Sequence, residues 1–269
     1  MTIVAPAAQT VLAQSVTAQP PRDNYKRDWG RAYGALRRLL NDKDDTFQVF
    51  EIMRSLSGRS GPDGYNLLLT TPQGGRLAYE RVELVQRLMD RPWVESFAPG
   101  TVGAAYAEFT ARENLSAEGL AEESRKGMAA GAIEVSHPYA WFGRRIRDSH
   151  DLWHILSGYG RDGLGEACLV AFSFAQTRSL GWAFIALGAM VRAGNTGLPV
   201  RRAILEGYRR GRAAAWLPGE DYERLMAEPL DAARARLGIV PAQIYESIPA
   251  DIRNGKASPA SSAPLQQAA

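Results

Sequence analysis

The sequence predicts an all-α protein with a single helical domain between two polar arms. Apolar residues recur every three or four positions over most of residues 25–250, which is the spacing of amphipathic helices. Few segments alternate apolar and polar residues with the period of two that a half-buried strand requires. Both ends are rich in alanine, glutamine and proline, a composition typical of disorder. We therefore expect a disordered arm (1–24), a helical domain (25–250) and a disordered tail (251–269).

Five segments in the amino-terminal half of the domain have helical periodicity. In the first, Trp29, Tyr33 and Leu36 lie on one side of the helix. Glycine, serine and proline follow the second segment and predict a loop over residues 57–64. Ser116 stands where the fifth helix would need an N-cap. The predicted helices cover residues 29–40, 46–56, 76–90, 101–112 and 116–127.

Four further helices are predicted in the carboxyl-terminal half. One of them carries two of the three histidines. The next is apolar nearly all round and is expected to bend near Gly181, so it either lies centrally or lines an apolar cavity. These predicted helices cover residues 138–156, 166–192, 201–215 and 220–237.

Composition limits the classes of function. Four of the 32 basic residues are lysines, so 28 are arginines, which suit contacts with carboxylates and phosphates. No basic run is interleaved with aromatic residues, so we expect no nucleic-acid partner. The single cysteine, Cys168, excludes an intrachain disulfide and a cysteine metal site. The longest apolar stretch, 180–191, is shorter than the roughly 20 residues of a membrane span, which predicts a protein that is soluble or on a membrane surface.

The strongest chemical signal is the run H-D-L-W-H at residues 150–154. On a helix, residues four apart lie about 40° apart around the axis and neighbours about 100°, so His150, Asp151 and His154 share one arc. Four glycines between residues 158 and 165 must end that helix, and a tight reversal would bring Glu166 back towards it. The predicted site therefore holds one divalent metal on His150, Asp151, His154 and Glu166. Zinc is the first choice, and iron, manganese or cobalt suit the same ligands.

Each of these residues also has an ordinary structural explanation. An acidic residue in the first turn of a helix, such as Glu166, is favoured by the helix dipole alone. Asp151 could pair with Arg147 one turn earlier, and a single histidine is usually a hydrogen-bonded structural residue. It is the combined spacing that favours a metal site.

Residues near this motif are candidates for binding a substrate. Arg144, Arg145 and Arg147 precede the first histidine by about one turn, and one of them could hold a carboxylate or phosphate through two hydrogen bonds. Phe172 and Trp182 could border a hydrophobic ligand. Solvated arginines and plain core aromatics are the alternatives.

The motif and its flanks resemble the coenzyme Q biosynthesis protein 4 family. That family's signature is H-D-x-x-H, eleven residues and then E, and it matches residues 150–166 without a gap. The segment R-x-R-D-S-H-D-L-W-H-I-L-S-G-Y, followed by L-G-E-A, carries most of the likeness. The blocks at 99–109 and 209–239 are weaker matches, and the likeness spans about residues 45–245.

The resemblance implies an all-α fold, a zinc-like ion on the four motif residues and a hydrophobic tunnel for a polyprenyl tail. The implied reaction removes the carboxylate at ring carbon C1 of a polyprenylated 4-hydroxybenzoate derivative and adds a hydroxyl there. Asp151 or Glu166 could act as the catalytic proton acceptor if it is not a metal ligand. The implied partners are other ubiquinone-synthesis proteins, a prenyl lipid, a membrane surface and a second copy of the chain. For a bacterial protein, the expected place is the cytoplasm, peripherally on the inner face of the inner membrane.

Three other functions compete with this one. A non-catalytic scaffold could bind prenyl lipid and organise partner enzymes, in which case a sealed metal site is expected. A phosphohydrolase of the HD type is suggested by His150-Asp151 with His137 upstream, but that class spreads its ligands over several helices. A zinc protease would need a catalytic glutamate where Asp151 stands.

Overall fold

The all-α prediction is confirmed. A computed structural model describes residues 25–42, 45–113, 137–193 and 197–255, and within these ranges it contains helices and turns but no strand. One isolated antiparallel bridge joins Thr101 to Pro229. The predicted arm at 1–24, most of the predicted tail and the predicted helix at 116–127 lie outside the described residues. None of the described helices has the length and apolar character needed to cross a bilayer.

Three helices of the carboxyl-terminal half organise the molecule. We call His150–Ser157 the histidine helix, Gly163–Thr177 the glutamate helix and Leu180–Arg192 the apolar helix. Before them come Trp29–Asn41, Thr46–Leu56, Ser60–Leu68, Gly74–Glu80, Leu84–Met89, Arg91–Glu95, Val102–Glu113 and Pro138–Asp148. After them come Leu198–Ala213, a 3-10 turn at Leu217–Gly219, and Tyr222–Leu225, Leu230–Arg236, Gln243–Ser247 and Ala250–Arg253.

The glutamate helix lies at the centre of the largest core cluster. Leu169 and Phe172 on this helix are fully buried. A Cβ atom at Gly207 would lie 2.4 Å from the carbonyl oxygen of Cys168, so the helix Leu198–Ala213 packs at close range along it. This dense packing gives the first turn of the glutamate helix, which carries the predicted metal ligand, a fixed position.

The apolar helix joins this core to a second, smaller one. Leu36 and Ile52, from the first two helices, are buried in that second cluster, and Phe184 of the apolar helix packs against it. The ring of Trp29 meets the ring of Phe184 edge-on with centroids 5.9 Å apart. Leu187 and Val191 on the same helix remain exposed.

Several predicted long helices are divided into shorter ones in the structure. The helix predicted over 138–156 is divided in two at Ser149, whose hydroxyl donates to the carbonyl oxygen of Ile146 at 2.9 Å. The prediction for 76–90 divides at Arg81, which adopts φ +46° and is followed by Val82, whose carbonyl accepts the Trp141 indole N–H. The prediction for 166–192 divides at Arg178, at φ +55°, rather than near Gly181. The prediction for 220–237 likewise becomes two short helices.

The loop predicted over residues 57–64 is wrong, because Ser60–Leu68 is helical. A Cβ atom at Gly64 would lie 2.6 Å from the ring of Phe142, so the glycine lets this helix pack directly against that ring. Tertiary packing therefore overrides the local preference of glycine and proline for a turn. At the other end, the last helix crosses the boundary predicted at residue 250, and Ile252 is buried in the main core.

Candidate metal centre

The histidine helix ends in a turn that only glycine adopts without strain. Gly158 has φ +79° and donates its N–H to the carbonyl oxygen of His154 at 2.8 Å. The chain then reverses, and the carbonyl of Tyr159 comes back to the ring of His154. Two arginines, Arg210 and Arg234, donate to the last carbonyl groups of this helix. The last carbonyl groups of this helix, which have no partner within the helix, thus accept hydrogen bonds from distant parts of the chain.

The glutamate helix begins close to that reversal. Asp162 is its N-cap and accepts the N–H of Gly165 at 2.9 Å. A Cβ atom at Gly165 would lie 2.1 Å from the carbonyl oxygen of Gly160, so the linker and the first helical turn are in direct contact. Glu166 follows immediately and faces the histidine helix.

The three side chains His150, His154 and Glu166 form a compact cluster. Their ligand atoms all lie within 4.8 Å of one another. Glu166 Oε1 lies 3.5 Å from His154 Nε2, and its Oε2 lies 4.0 Å from His150 Nε2. Two imidazole nitrogens and a carboxylate that converge in this way suit a divalent metal ion.

His154 has the hydrogen bonding expected of a metal ligand. Its Nδ1 atom lies 2.9 Å from the carbonyl oxygen of Tyr159. A carbonyl can only accept, so Nδ1 carries the proton and Nε2 presents its lone pair to Glu166. That Nε2 atom is buried without a hydrogen-bond partner. A buried nitrogen without a partner is costly unless something else coordinates it, so the residues fit a bound cation.

Asp151 lies on the far side of His150 from Glu166. Its Oδ1 atom is 3.6 Å from His150 Nδ1, whereas Glu166 faces His150 Nε2. The structure thus brings together three of the four predicted ligands and places the fourth, Asp151, behind His150. A carboxylate in that position orients a metal-binding histidine and increases its basicity.

The charged groups of the cluster shift the pKa values of their neighbours. Burial lowers the pKa of His150, but the nearby carboxylates of Asp151 and Glu166 outweigh it, so the pKa is raised. Burial raises the pKa of Glu166, but the imidazoles of His154 and His150, once protonated, and the guanidinium of Arg161 outweigh it and lower the pKa to about 2. The carboxylate is therefore ionised at neutral pH and attracts a cation.

The cluster is sealed on one side and open on the other. The His154 side chain is fully buried, and Phe109 stacks on its ring with centroids 5.6 Å apart. The side chains of His150 and Glu166 are 26% and 36% exposed. Solvent, and hence a ligand, reaches the cluster from the side of these two residues.

The three predicted substrate arginines lie in ion pairs inside the protein. Arg144 donates two hydrogen bonds to Glu83. Arg145, buried beside a cavity of about 150 Å³, donates to Glu223 and to a backbone carbonyl. Arg147 pairs with Asp148 at 2.7 Å. All three guanidiniums are thus engaged with carboxylates of the protein.

The predicted substrate aromatics also lie in packing positions. Phe172 is fully buried and its ring meets that of Trp153, with centroids 6.4 Å apart. Trp182 is half-buried on the apolar helix, against the main core. The ligand tunnel and its lining stay a prediction.

Two residues of the site have no part in the sequence prediction. Arg161, in the linker, lies with Nε 3.7 Å from Glu166 Oε1. Its signal in the sequence is a charged residue within a run of four glycines, five positions before Glu166. Phe109 comes from a helix more than forty residues earlier in the chain, and nothing in the sequence connects it with His154.

A match to a family model identifies the family to which this chain is related. The family model described as "Coenzyme Q (ubiquinone) biosynthesis protein Coq4" matches residues 65–243, about two thirds of the sequence. The chain belongs to the Coq4 family. The resemblance inferred from the histidine motif is confirmed, and all three clustered side chains lie within the Coq4 match.

Individual Coq4 relatives match shorter stretches. "Ubiquinone biosynthesis protein coq4, mitochondrial" of Botryotinia fuckeliana (strain B05.10) is 30% identical over 110 residues, which are 41% of this chain and 36% of that protein. "Ubiquinone biosynthesis protein COQ4 homolog, mitochondrial" of Rattus norvegicus is 27% identical over 175 residues, 63% of this chain and 62% of that protein. The chain thus matches about a third of the length of the fungal relative.

A solved structure shares the Coq4 fold. The crystal structure of a protein from Nostoc punctiforme PCC 73102 that is named for ubiquinone biosynthesis has a TM-score of 0.56 and 21% sequence identity. The match covers 80% of this chain and 99% of that chain. At this identity the likeness supports the single all-α domain alone.

Proposed function

We propose that this protein acts in ubiquinone biosynthesis as a metal-dependent enzyme on a polyprenylated 4-hydroxybenzoate derivative. The reaction replaces the carboxylate at ring carbon C1 with a hydroxyl. The observation that supports it best is His154 Nε2, a buried and unpartnered nitrogen whose tautomer is set by Tyr159. Membership of the Coq4 family supports the pathway.

The proposed ion is held by His150, His154 and Glu166, with Asp151 behind His150. Zinc fits this set of ligands, and iron, manganese and cobalt fit it as well, because ligand type alone does not separate these metals. When bound, the ion would act as a Lewis acid towards a carboxylate or an oxygen of the substrate.

The chemistry proposed for the substrate follows from its own ring. The 4-hydroxyl, once deprotonated, delivers electron density to C1, and loss of carbon dioxide from C1 restores the aromatic ring. The net change is a two-electron oxidation, so we name dioxygen and a two-electron donor as co-reactants. One oxygen atom enters the ring and the other becomes water. Asp151, which is not among the three proposed ligands, is the candidate proton acceptor for the phenol.

A non-catalytic lipid scaffold is the second candidate, and one observation favours it. The apolar helix has no charged residue before Arg192, and Leu187 and Val191 on it are exposed. A scaffold would hold prenyl lipid there without turnover. The exposed side of the metal cluster argues for the enzyme, because a structural site has no need of an opening to solvent.

We also propose that the same apolar surface rests on a membrane. Trp29 and Tyr33 on the first helix are exposed, as are Leu187 and Val191 on the apolar helix, and the two helices meet where the ring of Trp29 contacts that of Phe184. The two helices that carry these residues contain arginines but no aspartate or glutamate. Exposed aromatic and aliphatic residues with nearby arginines suit an anionic lipid surface. On this proposal the protein is peripheral, next to its lipid substrate and the other ubiquinone-synthesis proteins.

Metal content and carbon dioxide release together test the enzyme proposal. Elemental mass spectrometry is expected to find one metal per chain in the wild type and none in His154→Ala or Glu166→Gln. His137→Ala is the matched control, because His137 is an exposed N-cap outside the cluster. Labelled carbon dioxide from a carboxyl-labelled, prenylated 4-hydroxybenzoate should appear only with the variants that hold metal. Metal without turnover would favour the scaffold, and no metal in the wild type would refute the metal site.

A further inference from the structure

One arginine lies at the open side of the metal cluster. Arg161 Nε is 3.7 Å from Glu166 Oε1, the same oxygen that lies 3.5 Å from His154 Nε2. The Arg161 side chain is 38% exposed, so its guanidinium meets solvent where the cluster does. An anion that reaches the cluster from solvent therefore encounters this guanidinium.

The donors of Arg161 are uncommitted within the described part of the chain. It forms an ion pair with Glu166 at a distance beyond a hydrogen bond, and its side chain makes no hydrogen bond to another described residue. The three arginines predicted from sequence differ, since each already donates to a carboxylate of the protein. Arg161 can thus offer its planar set of N–H groups to a ligand.

The backbone on both sides of Arg161 is held in place. The N–H of Gly160 donates to the hydroxyl oxygen of Tyr245 at 3.0 Å, and that hydroxyl donates to Asp162. Asp162 in turn caps the glutamate helix through Gly165. A side chain based on a fixed segment loses less freedom when it binds a ligand, which increases its affinity.

A guanidinium at the opening of the cluster favours an anionic ligand there. Glu166 and Asp151 both repel a carboxylate, and a guanidinium offsets that repulsion through two parallel hydrogen bonds. We propose that Arg161 binds the carboxylate of an aromatic acid at the open side of the cluster and orients it towards His150, His154 and Glu166. This assignment rests on the proposed function, and it identifies the residue that recognises the acidic group of the substrate.

Binding of a simple probe tests the assignment without turnover. Zinc-loaded wild type, Arg161→Met and Arg161→Lys are titrated with 4-hydroxybenzoate by isothermal titration calorimetry. Phenol, which lacks the carboxylate, is the control ligand. Arg202→Met, the loss of an exposed arginine on another helix, is the control for net charge. Metal content and melting temperature are measured for every variant.

We expect Arg161→Met to bind 4-hydroxybenzoate about ten- to hundredfold more weakly than wild type, the range for losing a hydrogen bond between charged groups. Arg161→Lys should lie between the two, phenol binding should be unchanged, and Arg202→Met should behave as wild type. Equal affinity of Arg161→Met and wild type would overturn the assignment and leave the metal site and the reaction unaffected. Carbon dioxide release separates the two proposals: its absence refutes the reaction, while a carboxylate affinity that depends on Arg161 still supports this site.

Discussion

The Nδ1 atom of His154 lies 2.9 Å from the carbonyl oxygen of Tyr159, five residues later in the chain. A backbone carbonyl is a partner that no side-chain substitution removes, so the protein fixes the orientation of this ring through the path of its main chain. That path depends on Gly158, whose φ of +79° starts the reversal. Affinity for metal should therefore depend on a residue that does not itself contact the ion.

Substitution of Gly158 by alanine tests this dependence. An alanine held at positive φ costs about 1–2 kcal/mol of stability, and any relaxation moves the Tyr159 carbonyl away from His154. We expect a lower melting temperature and zinc affinity reduced about tenfold, as for loss of other contacts behind a metal ligand. Gly100→Ala is the matched control, because Gly100 also has a positive φ, of +83°, with open space around it. Equal zinc affinity in the two variants would contradict the dependence.

Asp151→Asn distinguishes a metal ligand from a residue that orients one. Asp151 lies at His150 Nδ1, on the opposite side of the ring from Glu166. We expect the variant to keep one metal per chain but to bind it about 10–100-fold more weakly, measured by competition with a chelator. Complete loss of metal, as expected for Glu166→Gln, would show instead that Asp151 is a direct ligand.

The pKa shifts of the cluster give the metal-free protein and the metal complex different pH dependence. His150, with a pKa raised above its usual 6.5, contributes stability that is present below pH 6.5 and lost as pH rises through the raised pKa. Glu166, with a pKa lowered from 4.5 to about 2, contributes stability that is present above pH 4.5 and lost as pH falls. Metal binding needs neutral imidazoles, so it strengthens as pH rises.

The gain in melting temperature on adding zinc should accordingly be larger at about pH 8 than at about pH 5.5. Differential scanning fluorimetry at both pH values measures it. His137→Ala should follow the wild type, because His137 lies outside the cluster. A gain that does not vary with pH would indicate that the ion binds somewhere other than the two histidines.

The sequence predicts which segments are helical better than where the helices end. The first two helices match their predictions closely, because their apolar spacing is regular and each lies between polar residues. Two of the errors occur where a distant residue competes for the backbone. Arg81 and Val82 leave the helix beside the indole of Trp141, and the helix around Gly64 exists because Phe142 packs on that glycine. Such partners are not adjacent in sequence, so local patterns do not reveal them.

The same limit applies to the candidate site. Three of the four predicted ligands, His150, His154 and Glu166, come together because they lie on consecutive helices joined by a short linker. For the arginines, helical spacing indicates only which residues share a face. It does not reveal that Arg144 is already hydrogen-bonded to Glu83, and Arg145 to Glu223.

Arg234 supports the histidine helix from a distance and should matter for stability. It donates to the carbonyl oxygens of Ile155 and Leu156 at 2.8 and 3.1 Å. Arg234→Met leaves both carbonyls without this donor, which should cost about 2 kcal/mol in the free energy of unfolding. Arg236→Met, which removes only exposed ion pairs, should cost at most about 1 kcal/mol. Urea denaturation of the two variants compares them, and equal losses would argue against a special role for Arg234.

The membrane proposal predicts that lipid binding depends on where an exposed apolar residue lies and not only on how exposed it is. Val191 and Val240 are exposed to similar extents, 67% and 58%, but only Val191 lies on the apolar helix. Val191→Glu removes an apolar contact and adds a charge that anionic lipid repels, so sedimentation with anionic vesicles should weaken about tenfold or more. Val240→Glu should bind as the wild type does. If both variants bind equally well, the apolar helix faces away from the bilayer and its exposed side is free for a second copy or a partner protein.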